Sequence, residues 1–426
     1  YVDTVTNARY REVYDIVHPR QPLTNPRNIR LGPFHARHES LEASFMPIAG
    51  LELPCWYDRN DRLLEKHAAA IPKRSGWGAQ FWSPVQGAEH LEVRDNVGLF
   101  DLTGLSILEV CGEDAVAFVN RLRTNEMDRP VDTVVYTCWL TPNGGVKRDL
   151  TVARMSGDTY WLFVGEGMLP QDLDWVRRQA TDGDSVAIRD ISGLYSAVGL
   201  WGPNARAVLS QVTCDDVSNG GFPYFSARWI EIGAARVYAM RISYVGELGW
   251  ELHIPYEQSL SVWDAVWEAG REIEMIAAGS GAMDSLRLEK GYRLWGGDIH
   301  TEYSLLEAGL DWTARTNKAD GFIGREATVA ARNKSCKKKL RCIAVDDSTA
   351  TLCGYEPLFA GNGHCIGHVT TANYGYSVSM NLAFGYLPLK YATPGTELEV
   401  AYFGERYAAS VVADPVWDPA MTRLKS

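Results

Sequence analysis

The sequence predicts an α+β protein that closes on a small all-β module. From about Trp77 to residue 335, short runs of period-two alternation are interleaved with runs of helical spacing. After a basic stretch, Asn333 to Lys339, the helical patterns stop. Short strands separated by Gly, Pro and Asn then continue to about residue 414, the pattern of a small β-barrel or sandwich. At 426 residues the chain is long enough for two or three domains with a large core.

Residues 1 to about 57 open with a helical pattern, Tyr10, Val13, Tyr14 and Val17, that His18-Pro19 stops. A proline- and arginine-rich path follows. It has too little regular pattern for a core of its own and is expected to drape over another domain. His35 and His38 have the spacing of a metal motif, but no third ligand is near, and packing or backbone bonding is the default. The pattern then predicts a strand over 105–110, a helix over 113–122 and a hairpin over 134–154 that turns at Thr141-Pro142-Asn143-Gly144-Gly145. On the second hairpin strand Val146, Leu150 and Val152 share one face, while Lys147, Asp149 and Thr151 share the other. Asp149 is therefore either a solvated strand residue or a carboxylate lining a polar cavity. A strand over 161–164, a helix over 172–180 and a buried strand over 197–203, ended by Gly-Pro, come next.

The run from Arg241 to His253 concentrates chemistry. Tyr238, Met240, Ile242 and Tyr244 alternate as in a half-buried strand, Gly246 and Gly249 permit a break, and the strand resumes at Trp250, Glu251 and Leu252. If the break turns Glu251 inward with Tyr244, a carboxylate acceptor and an aromatic face share one concavity, suited to a flat heterocycle with two adjacent N–H donors. Otherwise the run is a twisted hairpin with Glu251 in solvent. Helices over 260–269 and 282–288 follow, the latter carrying Asp284, Arg287 and Glu289. Arg287 either clamps an anionic or carbonyl group or pairs with Asp284 on the helix surface.

The formal charge of −11 disfavours nucleic acid or an anionic membrane surface as the main partner. The 8 cysteines are dispersed with no Cys-x-x-Cys, which argues against a zinc ribbon, redox pair or secreted disulfide framework. No apolar run reaches membrane-spanning length and no leader pattern opens the chain, so neither secretion nor anchoring is expected. The first residue, Tyr1, suggests a processed chain or a piece of a longer one. His364 and His368 lack acidic neighbours, and no metal site is expected. Gly279-Ser280-Gly281 and Gly361-Asn362-Gly363 both lack the third glycine of a dinucleotide fingerprint, and no Ser, His and Asp grouping stands out for nucleophilic catalysis.

With these residues laid out, the chain resembles the folate-binding aminomethyltransferase family, the T-protein of glycine cleavage, over roughly residues 80 to 420. The resemblance rests on four motifs in order: the Asn-Gly-Gly hairpin leading to Val-Lys-Arg-Asp-Leu at Asp149, Trp-Gly-Pro at 201–203, Tyr-Val-Gly-Glu-Leu-Gly-Trp-Glu at 244–251, and Asp-Ser-Leu-Arg-Leu-Glu at 284–289. Gly-Glu-Leu-Gly-Trp-Glu and the leading Tyr-Arg-Glu-Val-Tyr-Asp-Ile-Val-His-Pro most resemble the branch of dimethylglycine oxidase and the dimethylglycine and sarcosine dehydrogenases. Two departures from T-proteins stand out: Gly165 occupies a position where they typically have asparagine, and their carboxy-terminal tyrosine has no counterpart in 415–426. The first departure also resembles the oxidase branch.

The resemblance implies a three-domain cloverleaf around a central folate site, with a C-terminal β-barrel. Residues 1–57 would be a connector of the kind that follows a flavin oxidoreductase domain, 58–335 two intertwined α+β domains, and 336–426 the barrel. Carried over residue by residue, Glu251 would accept from the pteridine ring, Tyr244 and Tyr136 would wall the pocket, Arg287 would contact cofactor or substrate peripherally, and Asp149 would be the catalytic carboxylate. A fixed anion suits a reaction that passes through cationic amines and needs a proton moved. The implied activity is tetrahydrofolate-dependent capture of the methylene unit from oxidative demethylation of an N-methyl amine, giving 5,10-methylenetetrahydrofolate. FAD would be confined to a flavin domain or subunit outside this chain. The implied location is the cytoplasm, or the mitochondrial matrix in a eukaryote. A stand-alone tetrahydrofolate methyltransferase or demethylase, and a non-catalytic regulatory subunit, are the alternatives.

Overall fold

Along the strand Gly249–Pro255, Trp250, Leu252 and Ile254 alternate with Glu251 and His253, and the two sets go to different layers. The apolar set joins Val237 and Ala239, Val198 and Leu200, and the helices Ala205–Val212 and Ser259–Ala269 in one core. The other set faces a second sheet. The computed structural model, which describes residues 2–165, 167–334 and 336–426, thus places two sheets face to face with helices on both outer sides.

The first sheet has six strands in the order Ala227–Ile232, Ala235–Met240, Gly249–Pro255, Tyr195–Trp201, Gly98–Asp101 and Ile276–Ala277. The second has five, in the order Val134–Leu140, Val146–Arg154, Thr159–Val164, Ser106–Cys111 and Ala187–Asp190. Their facing surfaces meet through Ile107, Val134, Ala153, Trp161 and Phe163 on one side and Tyr238, Met240 and Ile242 on the other. The outer face of the five-stranded sheet, with Trp139, Leu150, Val152 and Leu162, packs under the helices Ala115–Leu122 and Leu169–Arg178. Strand parity alone forces this division, because successive side chains leave opposite faces of the pleat.

The C-terminal strands close into a six-stranded barrel in the order Lys338–Val345, Met380–Pro388, Cys365–Gly375, Pro357–Ala360, Glu397–Tyr402 and Glu405–Val412. Its interior is filled by Ile343, Leu358, Val369, Leu387, Leu398, Val400 and Val411. Closure pairs every edge, which removes the exposed backbone that an open sheet of this size would leave. The class expected from the alternating and then purely β pattern is the class observed.

Three local readings change. The N-terminal helix runs only over Val2–Glu12 and buries none of its residues, so no packed face extends it through Val13, Tyr14 and Val17, all of which are exposed. The proline-rich path after it contains a hairpin, Ala43–Ile48 with Leu51–Tyr57, whose second strand buries Leu51, Leu53, Cys55 and Tyr57. The strand expected to reach Tyr244 ends at Met240, and Ile242 and Tyr244 lie in a loop. The histidine pair at 35 and 38 is used in packing: His38 Nε2 lies 2.9 Å from Asp101 Oδ2, and its Nδ1 is 3.0 Å from the Tyr57 hydroxyl.

The loop after Met240 is held from below by a buried ion-pair network. Arg94, on the helix Val85–Asp95, donates to Glu247 at 2.8 Å, to Glu289 at 2.9 Å and to the Val245 carbonyl at 2.6 Å. Glu289 ends the helix Ser280–Glu289 and also accepts from the Ser377 amide of the barrel. Glu247 accepts in turn from Arg423 and Trp417 of the C-terminal segment. One guanidinium therefore ties two helices, the loop and, through Ser377, the barrel. Burial alone would push the Glu289 carboxyl up, but His90 and Arg94 outweigh it and hold it at about 2.

Arg94→Met removes the cation that Glu247 and Glu289 share, leaving Glu247 only Arg423 and Glu289 only His90 as charged partners, and should destabilise the fold by about 3 kcal/mol in urea unfolding; a loss under about 1 kcal/mol would contradict the network's role. Because the folded pKa of Glu289 lies below its ordinary value of 4.5, its contribution is present above that pH and is lost as pH falls towards about 2. Glu289→Gln should therefore flatten the acid limb of the stability profile in that window.

Candidate functional site

The inter-sheet gap is apolar along most of its length and polar at one end. On the strand Val146–Arg154, Asp149, Thr151 and Ala153 point inward, and Thr151 pairs with Phe163 of the next strand. The Phe163 ring lies 4.6 Å from the ring of His253 on the opposing sheet. Asp149 stands two residues from Thr151, and Glu251 two residues from His253, so the register sets the two carboxylates on facing surfaces about 6–7 Å along each strand from one shared contact.

Asp149 is half-buried. Its Oδ2 accepts from the Tyr136 hydroxyl at 2.9 Å, which leaves Oδ1 as the oxygen without a side-chain partner. Burial raises its carboxyl above the ordinary range, while the Tyr136 hydrogen bond pulls the other way. Burial, and then the Asp149 charge, pushes Tyr136 far above the usual phenol range, so it stays a neutral donor. The Tyr136 ring stacks on Trp312, with centroids 5.8 Å apart and planes inclined by 23°. Trp312 is 57% exposed and forms an outer lip.

Tyr244 reaches the same end of the gap because its loop doubles back. Gly249, at φ +156°, begins the next strand where an added Cβ would lie 1.9 Å from the Leu200 carbonyl oxygen. Gly246, at φ +82°, makes the preceding bend. The Tyr244 hydroxyl donates to the Arg293 carbonyl at 3.1 Å, and its ring runs parallel to that of Tyr292, 5.8 Å away and inclined by 15°. Tyr244 thus offers a fixed aromatic wall. Burial raises its hydroxyl pKa, and the Asp149 charge adds to the rise, so the two groups sense one another.

Glu251 is 8% exposed and accepts no hydrogen bond from any described residue. Its closest ionisable neighbour is His253, with Nε2 3.7 Å from Oε2. A nearly buried carboxylate without a hydrogen-bond donor is costly in a finished core, and its oxygens remain open as acceptors.

Arg287 is 2% exposed, and its donors are committed. Nε and Nη2 bond Asp284 Oδ1 at 3.0 and 2.8 Å, and Nη1 bonds Asp298 Oδ2 at 2.9 Å and the Tyr292 carbonyl at 3.2 Å. The second oxygen of each aspartate holds the barrel: Asp284 accepts from Asn373, and Asp298 from Thr370 and Thr371. The pairing with Asp284 is buried at a domain junction rather than displayed on a helix surface. Arg287 fixes the floor beside Tyr244. Asp298, Tyr292 and Trp312 escaped the sequence reading, since nothing in their local pattern says that their segments fold over this gap. His253 was readable, because it follows Glu251 with strand parity.

The site can accept N–H donors at Glu251, stack a flat ring against tyrosine, and hold or pass a proton at Asp149 Oδ1. The GCVT N-terminal domain family matches residues 34–318, and the glycine cleavage T-protein C-terminal barrel domain matches 338–418. An aminomethyltransferase of Halothermothrix orenii is 32% identical over 355 residues, covering 83% of this chain and 95% of that protein. The mitochondrial dimethylglycine dehydrogenase of Homo sapiens is 31% identical over 428 residues, covering 99% of this chain but 48% of that protein. The chain thus spans about half the length of the dehydrogenase relatives it matches. The crystal structure of the glycine cleavage system aminomethyltransferase T from Bartonella henselae superposes with a TM-score of 0.78 at 23% identity, covering 91% of this chain and 98% of that one.

Tyr136→Phe removes the donor that holds the Asp149 carboxyl down. In carboxyl-labelled protein followed by NMR, the Asp149 titration midpoint should move to higher pH; an unchanged midpoint would mean that the contact does not tune the acid.

Proposed function

The chain belongs to the glycine cleavage T-protein family, and from that premise we propose that it takes up a one-carbon unit onto tetrahydrofolate. The observation that carries the reading is Glu251, a nearly buried carboxylate with no hydrogen-bond donor among the described residues, on the inward face of its strand beside His253. The residues suit a reduced pterin: Glu251 would accept from its adjacent N–H groups, and Tyr244 would lie against its ring. When bound, tetrahydrofolate would supply the nucleophilic nitrogens that accept the carbon. Asp149 would hold a negative charge beside those nitrogens and take or return a proton at Oδ1, with Tyr136 fixing Oδ2. Arg287 and its two aspartates would keep Tyr244 and the barrel in place around the ligand.

The one-carbon donor would be an N-methyl amine of the dimethylglycine or sarcosine type, oxidised by an FAD-bearing domain or subunit, and the product 5,10-methylenetetrahydrofolate. The match over nearly the whole chain to half of a dimethylglycine dehydrogenase supports that reading. The net charge of −11 leaves nucleic acid a poor partner. Among the described residues no helix is long and apolar enough to cross a membrane.

Calorimetric titration with tetrahydrofolate tests the reading; a folded sample that does not bind at millimolar ligand would sink it. Charge-assisted hydrogen bonds contribute roughly 1.5 to 3 kcal/mol, so Glu251→Ala should weaken binding by about one to two decades. Asp149→Asn should leave binding intact and slow methylene transfer, and equal loss of both would refute the division of roles. Product analysis separates 5,10-methylene from 5-methyl folate, the second being the outcome expected of a demethylase that transfers a methyl group.

A further inference from the structure

Two residues beyond Glu251, on the same strand face, His253 is fully buried, and neither ring nitrogen has a hydrogen-bond partner among the described residues. Buried imidazoles ordinarily bond through at least one nitrogen. The surroundings offer little. In register beside His253 stand Tyr238 on one flanking strand and Ala197 on the other, and Phe163 covers the ring from the opposing sheet. The Tyr238 hydroxyl is itself buried and unpartnered, its ring held between Trp161 and Trp229. The carboxylate that His253 meets is Glu251, with Nε2 3.7 Å from Oε2. A charge-assisted N–H to carboxylate bond closes at about 2.7–2.9 Å, a difference that a small rotation of the glutamate side chain covers.

We propose that His253 is the positioning residue of Glu251: its ring carries the proton on Nε2 and donates it to Oε2 when the carboxylate is drawn onto a ligand, so that Glu251 meets the adjacent N–H donors in one orientation. The inference rests on the folate reading of the site. It accounts for two unpaired groups at once, because the histidine and the glutamate each lack any other partner among the described residues. A carboxylate anchored at one oxygen has less freedom to lose when its remaining lone pairs engage a ring. Phe163 keeps the imidazole plane from turning, and the packed tryptophans behind Tyr238 keep the flanking strand from yielding.

The test has a ligand-free arm and a binding arm. Nitrogen NMR of the histidine rings should show His253 of the wild-type chain as the Nε2–H tautomer, and Glu251→Ala should abolish that preference. A wild-type Nδ1–H tautomer, or a tautomer indifferent to Glu251→Ala, would overturn the proposal whether or not folate binds. In the binding arm, His253→Phe should weaken tetrahydrofolate about ten-fold, while His253→Gln, whose amide nitrogen reaches the place of Nε2, should stay within about three-fold of wild type. In a Glu251→Ala background His253→Phe should cost no further affinity. Wild-type affinity in His253→Phe, or equal losses in the Phe and Gln variants at unchanged melting temperature, would assign His253 to packing. Failure of the wild type to bind tetrahydrofolate would remove the folate reading alone, since the tautomer measurement still decides the contact. That measurement also decides it should the Phe variant not fold.

Discussion

The buried guanidinium of Arg94 is the constraint on which the arrangement depends. It comes from a helix that touches neither Asp149 nor Glu251, yet it bonds Glu247 and the Val245 carbonyl inside the loop that separates Tyr244 from Glu251. Its second pairing, with Glu289, anchors that loop to the helix bearing Arg287 and Asp284. A charge so deeply buried is tolerable only with its partners complete, which gives the loop a single arrangement rather than an ensemble. The aromatic wall and the carboxylate acceptor are set by an interaction that touches neither.

The facing sheets impose the complementary constraint. Apolar side chains fill their shared gap at Trp161, Phe163, Tyr238 and Met240, and Asp149 and Glu251 stand on the inward faces of their own strands among them. Partial withdrawal from water lifts the Asp149 carboxyl above its ordinary range, and the Tyr136 hydrogen bond only partly offsets that rise. The same low-dielectric walls strengthen any hydrogen bond a ligand makes there. The candidate residues lie at a hydrophobic interface, and their electrostatics follow from that position.

The barrel completes this end from outside the sheets. Asn373, Thr370 and Thr371 bond the aspartates that clamp Arg287, and Ser377 bonds Glu289. All four belong to the strand Cys365–Gly375 or the turn after it, so a single segment of the barrel is in register with both ion-pair systems. Docking of the barrel and ordering of the pocket floor are therefore one event. A closed barrel suits that task, since its strands cannot slip in register without breaking closure.

The α+β class, the all-β ending, the Asn-Gly-Gly hairpin with Asp149 on its non-core face, and the break at Gly246 and Gly249 were all legible in the sequence, because each is set by side-chain period or by backbone freedom within a few residues. Tyr136, Tyr244, Glu251 and Arg287 came from ordered motifs, and period two would also have pointed to His253. The pairing of Arg94 with Glu247 and Glu289 was not legible, since 153 and 195 positions separate the partners and no local pattern distinguishes a buried charge from a solvated one. The same holds for Arg287, whose neighbour Asp284 is local but whose burial depends on the barrel and on Asp298. The surroundings of Tyr244 were decided only in three dimensions: an unbroken strand would have carried it on past Met240, and the loop pinned by Arg94 sets it instead against Tyr292 and the Arg293 carbonyl.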